Sequence, residues 1–173
     1  LASILTPNAT FVWEVGCGHG HFLTAYAAAH PSSLCIGIDL ASDRIGRGLR
    51  KLKRARLANL HFLHADSKDF LAALPAHARI ASLFILFPDP WPKRRHHKHR
   101  LLNDTFLDRS AQQTEAGSRL YFRTDFEPYF IATHALLRSR TDWKLVDEPW
   151  PFELATVFQE RAANFRSLIA VRQ

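Results

Sequence analysis

The sequence predicts an α/β domain: a mostly parallel, doubly wound, seven-stranded sheet with helices on both faces. Three observations carry this. Short apolar runs alternate with stretches of helical periodicity along the whole chain, the rhythm of βαβ units. The first run opens into a glycine-rich turn, Gly16-Cys17-Gly18-His19-Gly20. Acidic residues then recur at the ends of runs one to four, at Glu14, Asp39, Asp66 and Asp89. In a parallel sheet those positions share one rim, the edge where such sheets bind ligands.

In chain order, FVWEV (11–15) is the first strand, and residues 20–30 read as a helix that stops before Pro31. LCIGID (34–39) is the second strand and 42–57 the second helix. On that helix Ile45, Leu49 and Leu52 fall at core spacing, and Arg44, Arg47, Lys51 and Arg54 form a neighbouring outward stripe. LHFLH (60–64) is the third strand, followed by a short helix over 67–74 with Ser67 as its expected N-cap. Residues 81–87 form the fourth strand. A helix over 103–116 is expected to close on Gly117 as its C′ residue. RLYFR (119–123) is the fifth strand and 126–140 the next helix. The remainder holds a strand near 144–146, a Pro-Trp-Pro loop at 149–151, a short helix around 155–163 and a last strand at 167–171.

With 173 residues, 47% apolar and 23% charged, the chain is long enough for a full core and reads as one domain, residues 1–173. Its 23 Lys and Arg against 16 Asp and Glu give a net charge of +7. That excess favours an acidic partner, nucleic acid before anionic lipid. No stretch approaches the about 18 apolar residues of a spanning helix, and nothing at the start reads as a signal peptide. Cys17 and Cys35 fall at opposite ends of neighbouring parallel strands, so a bridge is not expected and a cytoplasmic location is. The chain contains no Met, which suggests that residues precede Leu1. The oligomeric state, monomer or homodimer, stays open.

The segment Phe87 to Arg100, FPDPWPKRRHHKHR, is the most informative part. Its three closely spaced prolines hold the backbone extended and deny it a helix. They fix one carboxylate, Asp89, and one large aromatic, Trp91, at the end of the fourth strand. Trp91 either stacks on a base or is a buried turn aromatic. Lys93, Arg94, Arg95, Lys98 and Arg100 suit phosphates. His96, His97 and His99 do not read as a zinc site, because adjacent cations repel a metal and no fourth ligand is evident. The stripe on helix 42–57 either extends the cationic surface or is a solvated helix face.

The first turn is not a dinucleotide fingerprint, since position 21 is His21, and it lacks the Lys-Ser/Thr of a Walker loop. Its spacing is E-x-G-x-G-x-G, over Glu14, Gly16, Gly18 and Gly20. Asp39 is placed to accept ribose hydroxyls and Asp66 to accept from an adenine amine. A rim of carboxylates also suits a cationic sulfonium.

Together, the glycine turn, GID, HAD, FPDPWPKRRHHKHR and the later RTD (123–125) resemble the bacterial tRNA (guanine-N7-)-methyltransferase family, from about Phe11 to Arg172. The resemblance implies a class I, Rossmann-like fold, S-adenosylmethionine (SAM) as cofactor, tRNA as partner, and methylation of guanine N7 at position 46 in the variable loop. It implies that Glu14, Gly16, Gly18, Gly20, Asp39, Asp66 and Asp89 contact SAM, and that Asp89 is also the catalytic aspartate. Lys93 and Asp125 would bind the RNA, as would Thr156, Phe158 and Gln159 in the family's closing T-x-F-E-type motif. There the chain departs, with Gln159 in place of the acid, and the stretch before Glu14 is shorter than the family's. Guanine N7 already carries a lone pair, so its methylation needs placement rather than proton abstraction. Asp89 is thus an orienter that accepts from guanine N1–H and N2–H₂ or favours charge developing on the base. Two other readings stay open: a non-catalytic RNA-binding module on this fold, and a methyltransferase acting on another RNA.

Overall fold

In a computed structural model of the chain, residues 4–154 and 164–173 are described. Five parallel strands come first: β1 (Thr10–Val15), β2 (Leu34–Asp39), β3 (Leu60–His64), β4 (Arg79–Leu86) and β5 (Arg119–Thr124). β6 (Trp143–Val146) and β7 (Arg166–Arg172) complete a seven-stranded sheet in the order β3-β2-β1-β4-β5-β7-β6, with β7 antiparallel to both its neighbours. The helices are α1 (His21–Ala29), α2 (Ser42–Ala55), α3 (Ser67–Ala73), α4 (Asp104–Gln112) and α5 (Glu127–Arg138), with a 3₁₀ helix at Arg94–His99.

Side-chain alternation on the strands divides the core between the two faces. Phe11, Trp13 and Val15 of β1 join Phe70 and Leu71 of α3, Phe106 and Leu107 of α4 and Tyr129 of α5. Val12 faces the other way, with Phe22, Leu23 and Tyr26 of α1 and Ile45 of α2. Helices on both faces bury β1 from Phe11 to Val15, which explains its nearly continuous apolar run. Glu14 is the exception in that run, and alternation places it on the α1 side.

The bounds of β2 and β3 match the sequence reading. Four expectations are corrected. Asp66, not Ser67, caps α3: its Oδ1 accepts the Lys68 N–H at 2.7 Å. The helix expected over 103–116 ends at Gln112, and Gly117, at φ +90°, serves the turn into β5 instead. On α2 the buried positions are Ile45 and Gly48, whereas Leu49 is 45% exposed. The reason is Phe62 on β3. A Cβ at Gly48 would lie 3.3 Å from its ring, a tight contact that glycine avoids where α2 approaches β3. Lys51 does not face out with the arginines: its Nζ is buried with no partner among the described residues, and burial lowers its pKa.

Gly46 has no such role, since a Cβ there would meet only Arg50 Nη1 at 3.8 Å. A mid-helix glycine costs about 0.5–1 kcal/mol relative to alanine. Gly46→Ala should therefore stabilise the protein by about that amount, read as a higher urea midpoint with an unchanged slope. Among the described residues, no helix is long and apolar enough to cross a membrane.

Candidate active site

β1 and β4 are neighbours in the sheet, but the chain leaves β1 toward β2 and leaves β4 toward β5. In open α/β sheets the ligand crevice lies where such paths diverge, at the strands' C-terminal ends. The glycine turn forms one side of it. Gly16, Gly18 and Gly20 have φ of +74°, +55° and +66°, a region that costs other L-residues strain. The turn is tied to β2, since Gly16 and Cys17 N–H groups both donate to Ile38 O at 2.9 Å.

At Gly20 sterics add to the φ requirement. A Cβ there would come within 2.7 Å of Phe62 Cε1 and closer still to Cζ. The same ring covers Gly37 and Gly48, so Phe62 is the floor that three close backbone approaches share. Gly20→Ala should cost about 2 kcal/mol or more in stability and displace the turn. Thermal unfolding and ligand binding by calorimetry would both show the loss.

Two carboxylates lie under the turn. Asp39 is 6% exposed; its Oδ2 accepts the Gly18 N–H at 2.9 Å and its Oδ1 the Ala41 N–H at 2.8 Å. Arg44 stands 3.8 Å away. Glu14 is 4% exposed, and its Oε2 has no hydrogen-bond partner among the described residues. Burial, with a further push from the charge on Asp39, raises the Glu14 pKa to about 8, while the Leu23 backbone N–H pulls it down. A buried acceptor without a donor is costly. A ligand cation or ammonium group would satisfy it.

Opposite the glycine turn, the chain leaves β4 through Phe87-Pro88-Asp89-Pro90-Trp91-Pro92. The two aromatics, each followed by proline, take positive φ, +50° at Phe87 and +45° at Trp91. Bulky residues in this region are strained, and such strain persists only where the surroundings fix it. Much of that fixing comes from Arg100. Its Nε donates to Pro90 O at 2.9 Å, its Nη2 lies 3.1 Å from His97 Nε2, and its guanidinium sits 4.7 Å from the Tyr129 ring centroid. Arg100 is 5% exposed, so the expectation that it meets phosphate is corrected: it is the internal tie of the turn. Lys93, Arg94, Arg95 and Lys98 remain exposed. Trp91, 36% exposed, is not buried; its ring lies against His99 and His96. Among the described residues no group of His, Cys, Asp and Glu has the geometry to hold a metal.

The fold thus brings Glu14, Gly16, Gly18, Gly20, Asp39, Asp66 and Asp89 to one rim, with Lys93 and Asp125 beyond it. Asp89 and Asp125 are exposed, as is Lys93. Asp66 uses Oδ1 as a helix cap. Thr156, Phe158 and Gln159 lie outside the described residues.

Sequence reasoning missed Arg123, the first residue of the RTD motif. It is 5% exposed, forms a bidentate pair with Glu153 at 2.7 and 3.1 Å, and donates to Ser167 Oγ at 2.8 Å. The Trp150 ring lies 4.0 Å from its guanidinium carbon and the Phe165 ring 4.8 Å. It pins the approach to β7 over the end of β5, beside Asp125. The Pro-Trp-Pro loop at 149–151 was the signal available for it.

The family described as "Putative methyltransferase" matches residues 8–164. A tRNA (guanine-N(7)-)-methyltransferase from Roseobacter denitrificans is 35% identical over 161 residues, covering 87% of this chain and 67% of that protein. The chain belongs to the tRNA (guanine-N(7)-)-methyltransferase family. Another member of this methyltransferase family, from Treponema pallidum, is 38% identical over 155 residues, and the match spans 89% of this chain and 62% of that relative's length. Solved structures agree on the class I methyltransferase fold at low identity. The 16S rRNA (adenine(1408)-N(1))-methyltransferase from Catenulisporales acidiphilia, with cosubstrate SAM, gives a TM-score of 0.66 at 18% identity, covering 95% of this chain and 87% of that one. TrmN from Thermus thermophilus gives 0.65 at 17% identity, covering 96% and 45%.

Proposed function

We propose that this chain, as a single methyltransferase domain over residues 1–173, transfers a methyl group from SAM to N7 of a tRNA guanine, at position 46 in the variable loop. The observation that carries the reading is the pairing, across one crevice, of an acid-lined glycine turn with the strained Asp89 turn and its exposed cations. The family relatives' names supply the substrate class.

The residues present fit the cofactor. Glu14 Oε2 is a buried acceptor awaiting a donor, as an amino-acid ammonium group would provide. Asp39 uses one lone-pair direction on each oxygen for a backbone N–H, leaving others for ribose hydroxyls. Gly16, Gly18 and Gly20 let a ligand approach the main chain closely, and Asp66 keeps an oxygen for an adenine amine. SAM supplies, when bound, an electrophilic methyl group on a sulfonium.

The rest is placement by the protein. Asp89, exposed and rigidly held, accepts from guanine N1–H and N2–H₂ and so aims N7 into the crevice. No base is needed, because N7 carries its lone pair at neutral pH, and positioning alone contributes several kcal/mol. Lys93, Arg94, Arg95 and Lys98 hold the phosphates, and Asp125, with the closing-motif residues Thr156, Phe158 and Gln159, binds the nucleoside. A cytoplasmic setting suits both the tRNA and the free cysteines.

Incubation with methyl-labelled SAM and unmodified tRNA, then digestion to nucleosides, tests the proposal. Label in 7-methylguanosine is expected. Label in another nucleoside, or binding of both ligands without transfer, would replace this reading with one of its two alternatives.

A further inference from the structure

We propose that the outer face of α2 is a second RNA-backbone contact, separate from the cationic turn after β4; this rests on the proposed action on tRNA. From Ser42 to its left-handed cap, Arg56, this element carries seven cations, Arg44, Arg47, Arg50, Lys51, Lys53, Arg54 and Arg56, against one acid, Asp43. Residues 93–100 carry five more and no acid. Against 23 cations and 16 acids in all, everything outside these two segments is net negative. The positive charge is therefore not a general property of the surface but is confined to two places.

The placement of the α2 cations is as telling as their number. With the core side set by Ile45 and Gly48, the 100° helical step puts Arg47, Arg50 and Arg54 directly opposite it. All three are exposed, and no described carboxylate pairs with them. Of the element's cations only Arg44 has a carboxylate among the described residues, Asp39. The stripe runs for about 10 Å at 1.5 Å per residue. A stripe kept for solubility gains from interspersed acids and i,i+4 pairs; this one has neither beyond its first turn.

The stripe also begins at the rim. α2 starts three residues after Asp39, packed on β2 and β3, while the other cationic segment follows β4. With strands about 4.8 Å apart, the ends of β2 and β4 are separated by roughly 10 Å, so the two segments flank the acidic crevice. A polyanion lying across both would be held on either side of the reacting base while the carboxylates between them repel its phosphates. RNA fits this face better than a membrane does. Membrane-surface helices need a free apolar face, and on α2 Ile45, Gly48 and Leu52 pack inward toward Phe62 and α1, which leaves Leu49 as the exposed large apolar residue.

The test is tRNA binding by the full chain carrying Arg47→Gln, Arg50→Gln and Arg54→Gln together, measured from about 50 to 200 mM salt. Thermal unfolding checks that the variant folds, and Arg44 is left in place because it touches Asp39. Each phosphate interaction removed should flatten the slope of log K against log salt by about 0.7–0.9. The expected change is two to three such steps, with affinity lower by about tenfold or more at low salt. An unchanged slope and affinity, alongside a clear loss in the Lys93→Ala, Arg94→Gln, Arg95→Gln variant, would make α2 a solvated face and overturn the proposal. So would a loss seen only for phosphatidylserine vesicles, or a wild-type chain that does not bind tRNA. Because the readout is binding, it separates from the methyl-transfer test: a chain that loses the salt slope on substitution but never forms 7-methylguanosine would keep this inference and refute the proposed reaction.

Discussion

Asp89→Ala should lower methyl transfer by about a hundredfold or more while leaving the unfolding temperature nearly unchanged. The two halves of this expectation have separate causes. Asp89 is exposed and sits between two prolines that set the turn with or without its carboxylate. Removing the carboxylate therefore breaks nothing that folding needs. The turn is held by Arg100 through Pro90 O and Tyr129, and by the packing of Phe87 near Phe165. What disappears is the carboxylate that the turn fixes on the β4 side of the crevice. Single-turnover rates at saturating tRNA, with a melting curve, check both halves. Near-normal turnover would remove Asp89 from the mechanism, and a large fall in melting temperature would make its role structural.

Glu14→Gln should have opposite effects on stability and on cofactor binding. The folded chain raises the Glu14 pKa from 4.5 to about 8, chiefly by burial. Between those values the native state keeps a proton that the unfolded chain has released, so stability falls as pH rises through this window. At pH 8 the cost is on the order of 5 kcal/mol. Gln cannot ionise, so the variant should match the wild type near pH 4 and exceed it by several kcal/mol near pH 8. Denaturant titrations at the two pH values read this directly. SAM affinity should fall at least tenfold, because an ammonium group loses a charged acceptor. Equal pH dependence in both proteins would contradict the assigned environment of Glu14. Unchanged affinity would contradict its assignment to the cofactor.

The parts of the structure legible in the sequence are those governed by local pattern. Apolar runs marked β1, β2 and β5 because these strands are covered on both faces, and the edge strand β3 showed by alternation instead. The acids marked the rim because parallel strands with similar lengths end together. What stayed illegible depends on partners distant in the chain. Gly117 looks like a helix terminator, but α4 closes earlier, at Gln113, and Gly117 is used instead in the turn where the Glu115 N–H donates to Ser118 Oγ. The 3₁₀ helix at Arg94–His99 has no apolar period to announce it. Arg100 is indistinguishable from its cationic neighbours until Tyr129 and Pro90 are seen around it. Arg123 was passed over for Asp125 because a buried guanidinium needs a carboxylate and two rings that come from residues 150–167. In α2 the periodicity was right in kind, but the core position went to a glycine, Gly48, since the space is filled from across the interface by Phe62.

The central claim is that this crevice delivers guanine N7 to a methyl donor. It is tested most directly with two tRNA transcripts that differ at one atom: guanine in the variable loop at position 46, or 7-deazaguanine there, which has carbon in place of N7. Both should bind alike, and only the first should accept label from methyl-labelled SAM, as 7-methylguanosine. Equal labelling of the two transcripts, or labelling of neither, would contradict the account.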